Sequence, residues 1–413
     1  MAKNKLISVI DIGSSKIATI LAQVREDDQE RLHIIGASIV ASKGVKKGQI
    51  VDIAEAVEAI EESVEAAERM AGYNVGSVWV TVGGAKISSQ NSQGVVAVTQ
   101  PQGEIVSEDV KRVTEAARAI SLPPASEIIH VIPRSYKVDG QDGIKDPIGM
   151  SGIRLEVDSH IVTGSTIDIK NIKRCISDVG CDLSGLVFDG LASGTATLSD
   201  TEKELGAVLV DIGGGTTSIA IFIDGALAYS SVLPVGAKNV TADLAAGLRV
   251  SLESAEKIKI FLGSSKSKED DVDLTSLNLP EEIKTISFKT LVDGIIKIRL
   301  NEMFQAVATE IKKSNFAGLT PSGIILTGGG ALTVGALESA KRILVMPVRV
   351  GVPTGISGLI DDVDGPAFAG VIGLAKIARD GNEEEKSGAS WIPKLSFTGQ
   401  FSKVGQLLKS LLP

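Results

Sequence analysis

The stretch that decides the fold is Val208-Leu209-Val210-Asp211-Ile212-Gly213-Gly214-Gly215-Thr216-Thr217. The uncharged run of Val and Leu ahead of Asp211 reads as a buried strand. The three glycines carry no β-carbon, so their amide N–H groups can turn toward one anion. Thr216 and Thr217 add hydroxyl donors, and Ile219-Ala220-Ile221-Phe222 reads as a second short strand. Strand, glycine turn and strand make a hairpin suited to gripping phosphate. A Rossmann loop would instead open a helix, and Ser218 stands where the last glycine of GxGxxG belongs. No GxxxxGK[ST] loop occurs.

The pattern recurs near the N-terminus. Leu6–Ile10 leads into Asp11-Ile12-Gly13-Ser14-Ser15-Lys16, and Ile17–Leu21 follows as a strand. Either hairpin alone reads as an ordinary turn. Together they predict a duplicated domain with a nucleotide between its halves. A third cluster, Gly323-Ile324-Ile325-Leu326-Thr327-Gly328-Gly329-Gly330-Ala331-Leu332, is again strand then glycines, with backbone open enough to accommodate a flat base or ribose.

These segments resemble, in this order, the two phosphate loops and the adenosine loop of the actin-like ATPase superfamily. Within it the chain resembles the FtsA family of bacterial cell-division proteins over nearly its whole length, with Pro234-Val235-Gly236 and Gly328–Ala331 among the matching motifs. The resemblance implies an α/β, actin-like (ribonuclease-H-like) duplicated ATPase fold with an inserted α+β subdomain and a C-terminal amphipathic helix. Residues 1–84, 163–194 and 359–380 would form subdomain 1A, and 85–162 the inserted subdomain 1C. Residues 195–240 and 313–358 would form 2A and 241–312 would form 2B, followed by a flexible linker (381–400) and a membrane-targeting helix (401–413).

The same resemblance implies ATP with Mg²⁺. Phosphates would be held by Gly13, Ser14 and Ser15 and by Gly213, Gly214, Gly215, Thr216 and Thr217, with Gly236 at a glycine-led helix start. Asp11 and Asp211 would orient magnesium through water, and Glu256, Lys259, Gly328, Gly329 and Gly330 would surround the nucleoside. Read from the residues alone, Glu256 and Lys259 are equally a solvated pair three apart on one helix face. Lys16 reads two ways, as a phosphate contact or as a solvent-facing strand residue. Relatives usually carry Glu-Pro where this chain has Asp189-Gly190, and in polymerising relatives that acid orients the attacking water. The shorter Asp189 would stand off by about 1 Å, enough to blunt hydrolysis, so the expected enzyme is at most a slow ATPase. Ser218 replaces an aspartate that relatives often have after the glycines.

Composition sets the outer bounds. A length of 413 residues allows two to four domains, and 43% hydrophobic with 23% charged residues is usual for a soluble globular protein. A net charge of −9 argues against a general nucleic-acid surface. Cys175 and Cys181 with three histidines do not make a metal set and predict reduced thiols in a cytoplasmic protein. Met1–Lys5 runs straight into a strand, which predicts no signal peptide, and no run of about 18 apolar residues predicts a membrane span.

Along the chain, Leu6–Ile39 reads as three strands with Arg25–Arg31 as a charged turn. Ile50–Ala71 reads as a helix, with Ile53, Val57, Ile60, Val64 and Ala67 at helical spacing and Gly72 ending it; Val78–Val82 is a strand. The insertion shows strands at Gly94–Thr99, Ile128–Ile132 and Ser135–Val138 and a helix at Ser107–Ala119 with Ser107 as N-cap. Its position and size match the FtsA insertion, which implies contacts to a neighbouring copy or to later division proteins. The alternative is a decorative insertion. Leu291–Ile311 reads as one long helix with Leu291, Ile295, Ile298, Met303 and Val307 on or near one face. The resemblance implies that this region docks the C-terminal tail of FtsZ, with Arg299 as a carboxylate contact, the alternative being an exposed arginine with no partner.

The tail differs in character. Asp380–Gly388 is a polar linker, and beyond Glu385 stand Lys386, Lys394, Lys403 and Lys409 with no acids. On a helix, Phe401, Val404, Leu407, Leu408, Leu411 and Leu412 fall in an arc of about 140°, with Lys403 and Lys409 opposite. That fits a helix lying in a membrane interface on anionic lipid. Gly405 costs about 1 kcal/mol relative to Ala, so the helix would form on binding. The alternative is a tail packed on the protein's own body. The resemblance thus implies a filament-forming tether of FtsZ at the inner face of the cytoplasmic membrane. A pilus-assembly relative and a sugar kinase, for which Asp189 is the only candidate acid, are the alternatives.

Overall fold

The computed structural model describes residues 5–25, 28–100, 103–264, 271–281, 283–359 and 363–386. Duplication is visible in the sheets. In the first half the strand Lys5–Ile12 pairs antiparallel with Lys16–Arg25, which pairs antiparallel with Asp28–Ala41. On its other flank Lys5–Ile12 lies parallel to Ser77–Val82, and that to Asp182–Phe188. In the second half Ala207–Ile212, Thr217–Ile223, Ala226–Leu233, Ile324–Thr327 and Val348–Val350 repeat the same order and directions. Counted within each half, the strand order is 3-2-1-4-5 twice. Register places Asp11 opposite Ala18 and Asp211 opposite Ser218, so each carboxylate sits at the mouth of its glycine turn.

The first sheet gains a sixth strand, because Ile356–Gly358 adds in parallel beside Asp28–Ala41. The expected division puts 356–358 in the second half with 313–358; three residues are too short to show a face. The turn expected over Arg25–Arg31 is narrower, since the third strand already starts at Asp28. The helix Ile53–Ala71 is capped by Asp52, whose side chain accepts from the Glu55 N–H, and ends on Gly72 at φ 71°. Its Ala56, Ile60, Val64 and Ala67 are buried in the first core. The first core reaches into the second half, taking Leu209, Ala220, Phe222 and Ile325 from one face of its sheet; a second core lies on the other face, and a small third one fills the insertion. Between the halves the helices Asp189–Thr197 and Ala369–Lys386 pack closely. A β-carbon on Gly373 would lie 1.7 Å from the Ala192 carbonyl oxygen.

The insertion is a four-stranded sheet, ordered Ser88–Ala97, Arg154–Ser165, Ser126–Val138 and Gln141–Ile144. The two strands expected at Ile128–Ile132 and Ser135–Val138 are one, running through Pro133. Proline is tolerated there because the short strand Gln141–Ile144 pairs only from Tyr136 on, and a register shift falls opposite, at Asp158/Ser159. The helix Ser107–Arg118 is capped at Val106 and not at Ser107: the Val106 N–H donates to the Asp109 carboxylate at 3.2 Å. The helix expected over Leu291–Ile311 is interrupted by a π turn, Val292–Ile296, before Lys297–Lys313. The extra residue in that turn rotates the face. Ile296, Leu300, Met303, Phe304 and Val307 are buried, whereas Ile298 is exposed. Among the described residues no helix is long and apolar enough to cross a membrane.

A candidate nucleotide cleft

Between the halves lies a cavity of about 490 Å³, within the range of small-molecule sites. Its walls are made by the hairpin mouths. Gly13, Ser14 and Ser15 line one side, and Gly213, Gly214 and Thr216 the other. The turns are locally closed: the Gly13 N–H donates to the Lys16 carbonyl at 3.0 Å and the Gly213 N–H to the Thr216 carbonyl at 2.9 Å. Glycine is needed where the loops meet. A β-carbon on Gly214 would lie 2.5 Å from Ser15 Oγ, and one on Gly215 would lie 2.8 Å from Ser14 Oγ.

Three carboxylates stand in the cleft. Thr81 Oγ1 donates to Asp11 Oδ1 at 2.6 Å, and the Ser193 hydroxyl donates to Asp211. Asp189, the first residue of its helix, accepts from the Gly190 N–H at 2.7 Å and from Ser218 Oγ at 2.9 Å. Burial raises all three carboxyl pKa values above the ordinary aspartate range. Asp211 rises to about 6, with the nearby Asp11 charge adding to burial, and Asp189 goes well up because Asp211 and Asp11 add their charges to its burial. Lys16 also lines the cavity, with Nζ 3.4 Å from the centre of the Phe368 ring. Burial lowers its pKa to about 8 against the pull of Asp11 and Asp211, so the solvent-facing alternative for Lys16 is set aside. Excess negative charge beside glycine-turned amides is a donor set that asks for a cation and accepts an anion. Among the described residues no three His, Cys, Asp or Glu side chains are close enough to grip a metal directly.

The nucleoside end is built from the helix Leu252–Ser264 and the third glycine cluster. Lys259 Nζ bonds Glu256 Oε2 at 2.8 Å and Thr241 Oγ1 at 2.9 Å, and both Glu256 and Lys259 line the cavity. Lys259 is buried and Glu256 stays partly exposed, so the pair sits on the cleft wall with the carboxylate open to it. Gly328, Gly329 and Gly330 line the same end. A β-carbon on Gly328, whose φ is +80°, would lie 2.2 Å from Asp211 Oδ1.

Three of the expected ligands lie off the cavity wall. Thr217 is buried and its hydroxyl donates to the Val235 carbonyl at 2.8 Å, so it is not a phosphate donor. Gly215 and Gly236 serve close packing instead; a β-carbon on Gly236 would meet the Gly213 and Gly214 carbonyl oxygens at 2.6 Å. Arg299 is neither free nor unpartnered. Its Nε and Nη2 bond the two carboxylate oxygens of Asp243 at 2.6 and 3.0 Å, and Nη1 bonds Glu302 at 2.7 Å. A partner's carboxylate would have to compete with both. The tail residues Phe401, Lys403, Val404, Leu407, Leu408, Lys409, Leu411 and Leu412 lie outside the described residues. Sequence reasoning missed Thr81 and Ser193, although a lone threonine inside the apolar strand Ser77–Val82 is a signal for the first.

Two halves of identical topology closing on such a cleft define the actin fold, a nucleotide-binding architecture. MreB 5 of Spiroplasma citri, solved bound to AMPPNP, shares it with a TM-score of 0.55 at 13% identity, covering 94% of this chain and 100% of that one. A chain of the PilM–PilN type IV pilus biogenesis complex shares it with a TM-score of 0.65 at 16% identity, covering 91% and 99%. At these identities the likeness is one of fold alone. The family models for the "SHS2 domain inserted in FTSA" and for "Cell division protein FtsA" match residues 84–163 and 208–373. Cell division protein FtsA of Pseudomonas aeruginosa is 36% identical over 395 residues, 94% of this chain and 93% of that protein. That of Borreliella burgdorferi is 39% identical over 380 residues, 91% of each. The chain belongs to the cell-division protein FtsA family, and the pilus protein is left as a sharer of its fold.

Proposed function

We propose that the chain binds ATP with Mg²⁺ in the cleft, polymerises on the inner face of the cytoplasmic membrane and tethers FtsZ filaments there through its C-terminal helix. The observation that carries the nucleotide reading is the meeting of two glycine hairpins and three raised-pKa carboxylates around one cavity between duplicated halves. Gly13–Ser15 with Gly213, Gly214 and Thr216 would hold phosphates, Lys16 would neutralise part of their charge, and Asp11 and Asp211 would hold magnesium through water. When bound, the metal supplies charge neutralisation at the phosphates. Glu256, Lys259 and Gly328–Gly330 would take the nucleoside.

Asp189 is the group placed to orient a water. The Gly190 N–H and Ser218 already occupy both oxygens, and the approach of Gly83 leaves no room for a β-carbon, which would lie 1.9 Å from Oδ2. A carboxylate so restrained supports slow turnover. The tether reading rests on family membership and on the amphipathic pattern at 401–413. Liposome flotation of the whole chain against one ending at Glu385 tests it. The whole chain should float on anionic vesicles and the shortened one should not; equal flotation of both removes the tether.

A further inference from the structure

Lys238 joins the two phosphate loops. It is the second residue of the helix Ala237–Leu248, whose start is fastened to the central loop: Ala237 N–H donates to the Gly213 carbonyl at 2.9 Å and Lys238 N–H to the Gly214 carbonyl at 2.8 Å. From that anchor the Lys238 side chain crosses to the other half, where Nζ donates to the Ser14 carbonyl at 2.6 Å. Ser14 is held a second time, its hydroxyl accepting from the Gly48 N–H at 2.8 Å. One residue therefore bonds the central loop through its backbone and the N-terminal loop through its ammonium. Lys238 is not on the cavity wall, and its partner is a carbonyl, which separates it from a direct phosphate ligand.

We propose that Lys238 is a clamp, a positioning residue that keeps the loops together over a bound nucleoside triphosphate and slows its release. The inference rests on the cleft being the nucleotide site proposed above. A ligand whose phosphates lie between the loops leaves only when they part, and parting breaks the ammonium–carbonyl bond. That bond is charge-assisted, hence stronger than a neutral one. The residue is exposed, so water competes and the contribution sits at the low end. Exposure also means that truncation leaves both cores untouched.

The test follows the release of a fluorescent ATP analogue from the full chain with magnesium, chased by excess ATP. Lys238→Met should release it about tenfold faster, the ratio that about 1.4 kcal/mol produces. Association should be nearly unchanged, and Lys238→Arg, which keeps a charged donor, should restore release to within about twofold. Amide exchange in nucleotide-free protein gives a second reading: Lys238→Met should speed exchange at Gly13–Lys16 and leave Val208–Val210 at the wild-type rate. Wild-type release from Lys238→Met, or a Lys238→Arg protein no slower than Lys238→Met, overturns the clamp. A wild-type chain that binds no nucleotide overturns the cleft reading instead. The clamp is then judged on exchange alone, and unchanged exchange at Gly13–Lys16 overturns it. Lys238→Ala repeats both measurements should Lys238→Met not fold.

Discussion

Gly214 offers the sharpest perturbation of the cleft. An ideal β-carbon there would sit 2.5 Å from Ser15 Oγ and 2.9 Å from Ser15 Cβ, across the gap between the loops. The hydroxyl can rotate aside, but the β-carbon is fixed to the backbone. Carbon atoms in contact rest at about 3.5–4.0 Å, so Gly214→Ala must push the loops apart by roughly 0.6–1 Å. Gly214 is not among the residues at positive φ, so alanine adds no backbone strain and the contact is the whole effect. Misplacement of about 1 Å can cost on the order of 100-fold at a positioned site, and the expected loss of magnesium–ATP affinity is roughly 10- to 100-fold. The structure also specifies the rescue. Ser15→Gly removes both offending atoms and leaves Ser15 N, at 3.5 Å, as the next neighbour, an ordinary contact. The double variant S15G/G214A should therefore bind more tightly than G214A, short of wild type only by one hydroxyl hydrogen bond of about 1 kcal/mol. Calorimetric titration of the four proteins decides the matter. Wild-type affinity in G214A, or a double variant no tighter than the single, would refute the geometry of the loops.

Asp211→Asn should remove most of the magnesium dependence of nucleotide binding while leaving the fold intact, measured by titration with and without chelator; retained dependence would exclude Asp211 from the metal's shell. His130 and His160 are buried, and burial holds both near a pKa of about 3, below the ordinary 6.5. Their folded pKa values are depressed, so the stability they allow is complete above about pH 6.5 and is lost as the pH falls, by about 1.4 kcal/mol for each histidine at pH 5.5. In urea melts at pH 7.5 and 5.5 the His160→Gln protein should lose less than wild type by that one share, and equal losses would place the proton elsewhere. Val345 is β-branched, 83% exposed and at φ 52°, a conformation that costs about 1–2 kcal/mol outside glycine and asparagine. Val345→Asn should raise stability by about 1 kcal/mol; a lower melting point would mean that the valine makes a contact the structure lacks.

What could be read beforehand was local or repeated. Neither Asp-Ile-Gly hairpin says more than a turn by itself, but an apolar run, a carboxylate and glycine fall together twice in one chain, and that repetition predicts the duplicated sheets. The facts that stayed hidden join distant residues. Nothing near Thr217 says that its hydroxyl goes to Val235, and nothing near Arg299 says that Asp243, on another helix, takes its guanidinium. Lys238 reads as an ordinary first-turn residue until the other half of the molecule is beside it. The π turn at Val292–Ile296 was illegible for another reason: periodicity assumes 3.6 residues per turn and so sets Ile298 beside Leu291, whereas the extra residue turns Leu291 onto the buried face of Leu300, Met303 and Val307 and leaves Ile298 outside it.

The seam between the insertion and the second half bears on whether the insertion is decoration. Ala226–Leu233 is an edge strand, with backbone groups that need covering. Ser89 covers it as a strand partner would: its hydroxyl donates to the Ser230 carbonyl at 2.8 Å and accepts from the Ser230 N–H at 3.0 Å. His160 completes the join, Nδ1 against Asn91 Oδ1 at 2.7 Å and Nε2 against Ser230 Oγ at 2.9 Å. An amide oxygen only accepts, so Nδ1 carries the proton and the Ser230 hydroxyl donates to Nε2. Farther out Lys145 bonds Glu204 at 2.7 Å. An insertion that merely decorated its parent half would touch that half alone. This one grows from the first half and is bonded to the second, and the buried His160 would be costly to leave without its partners. The insertion and Lys238 thus each join the two halves, at separate points.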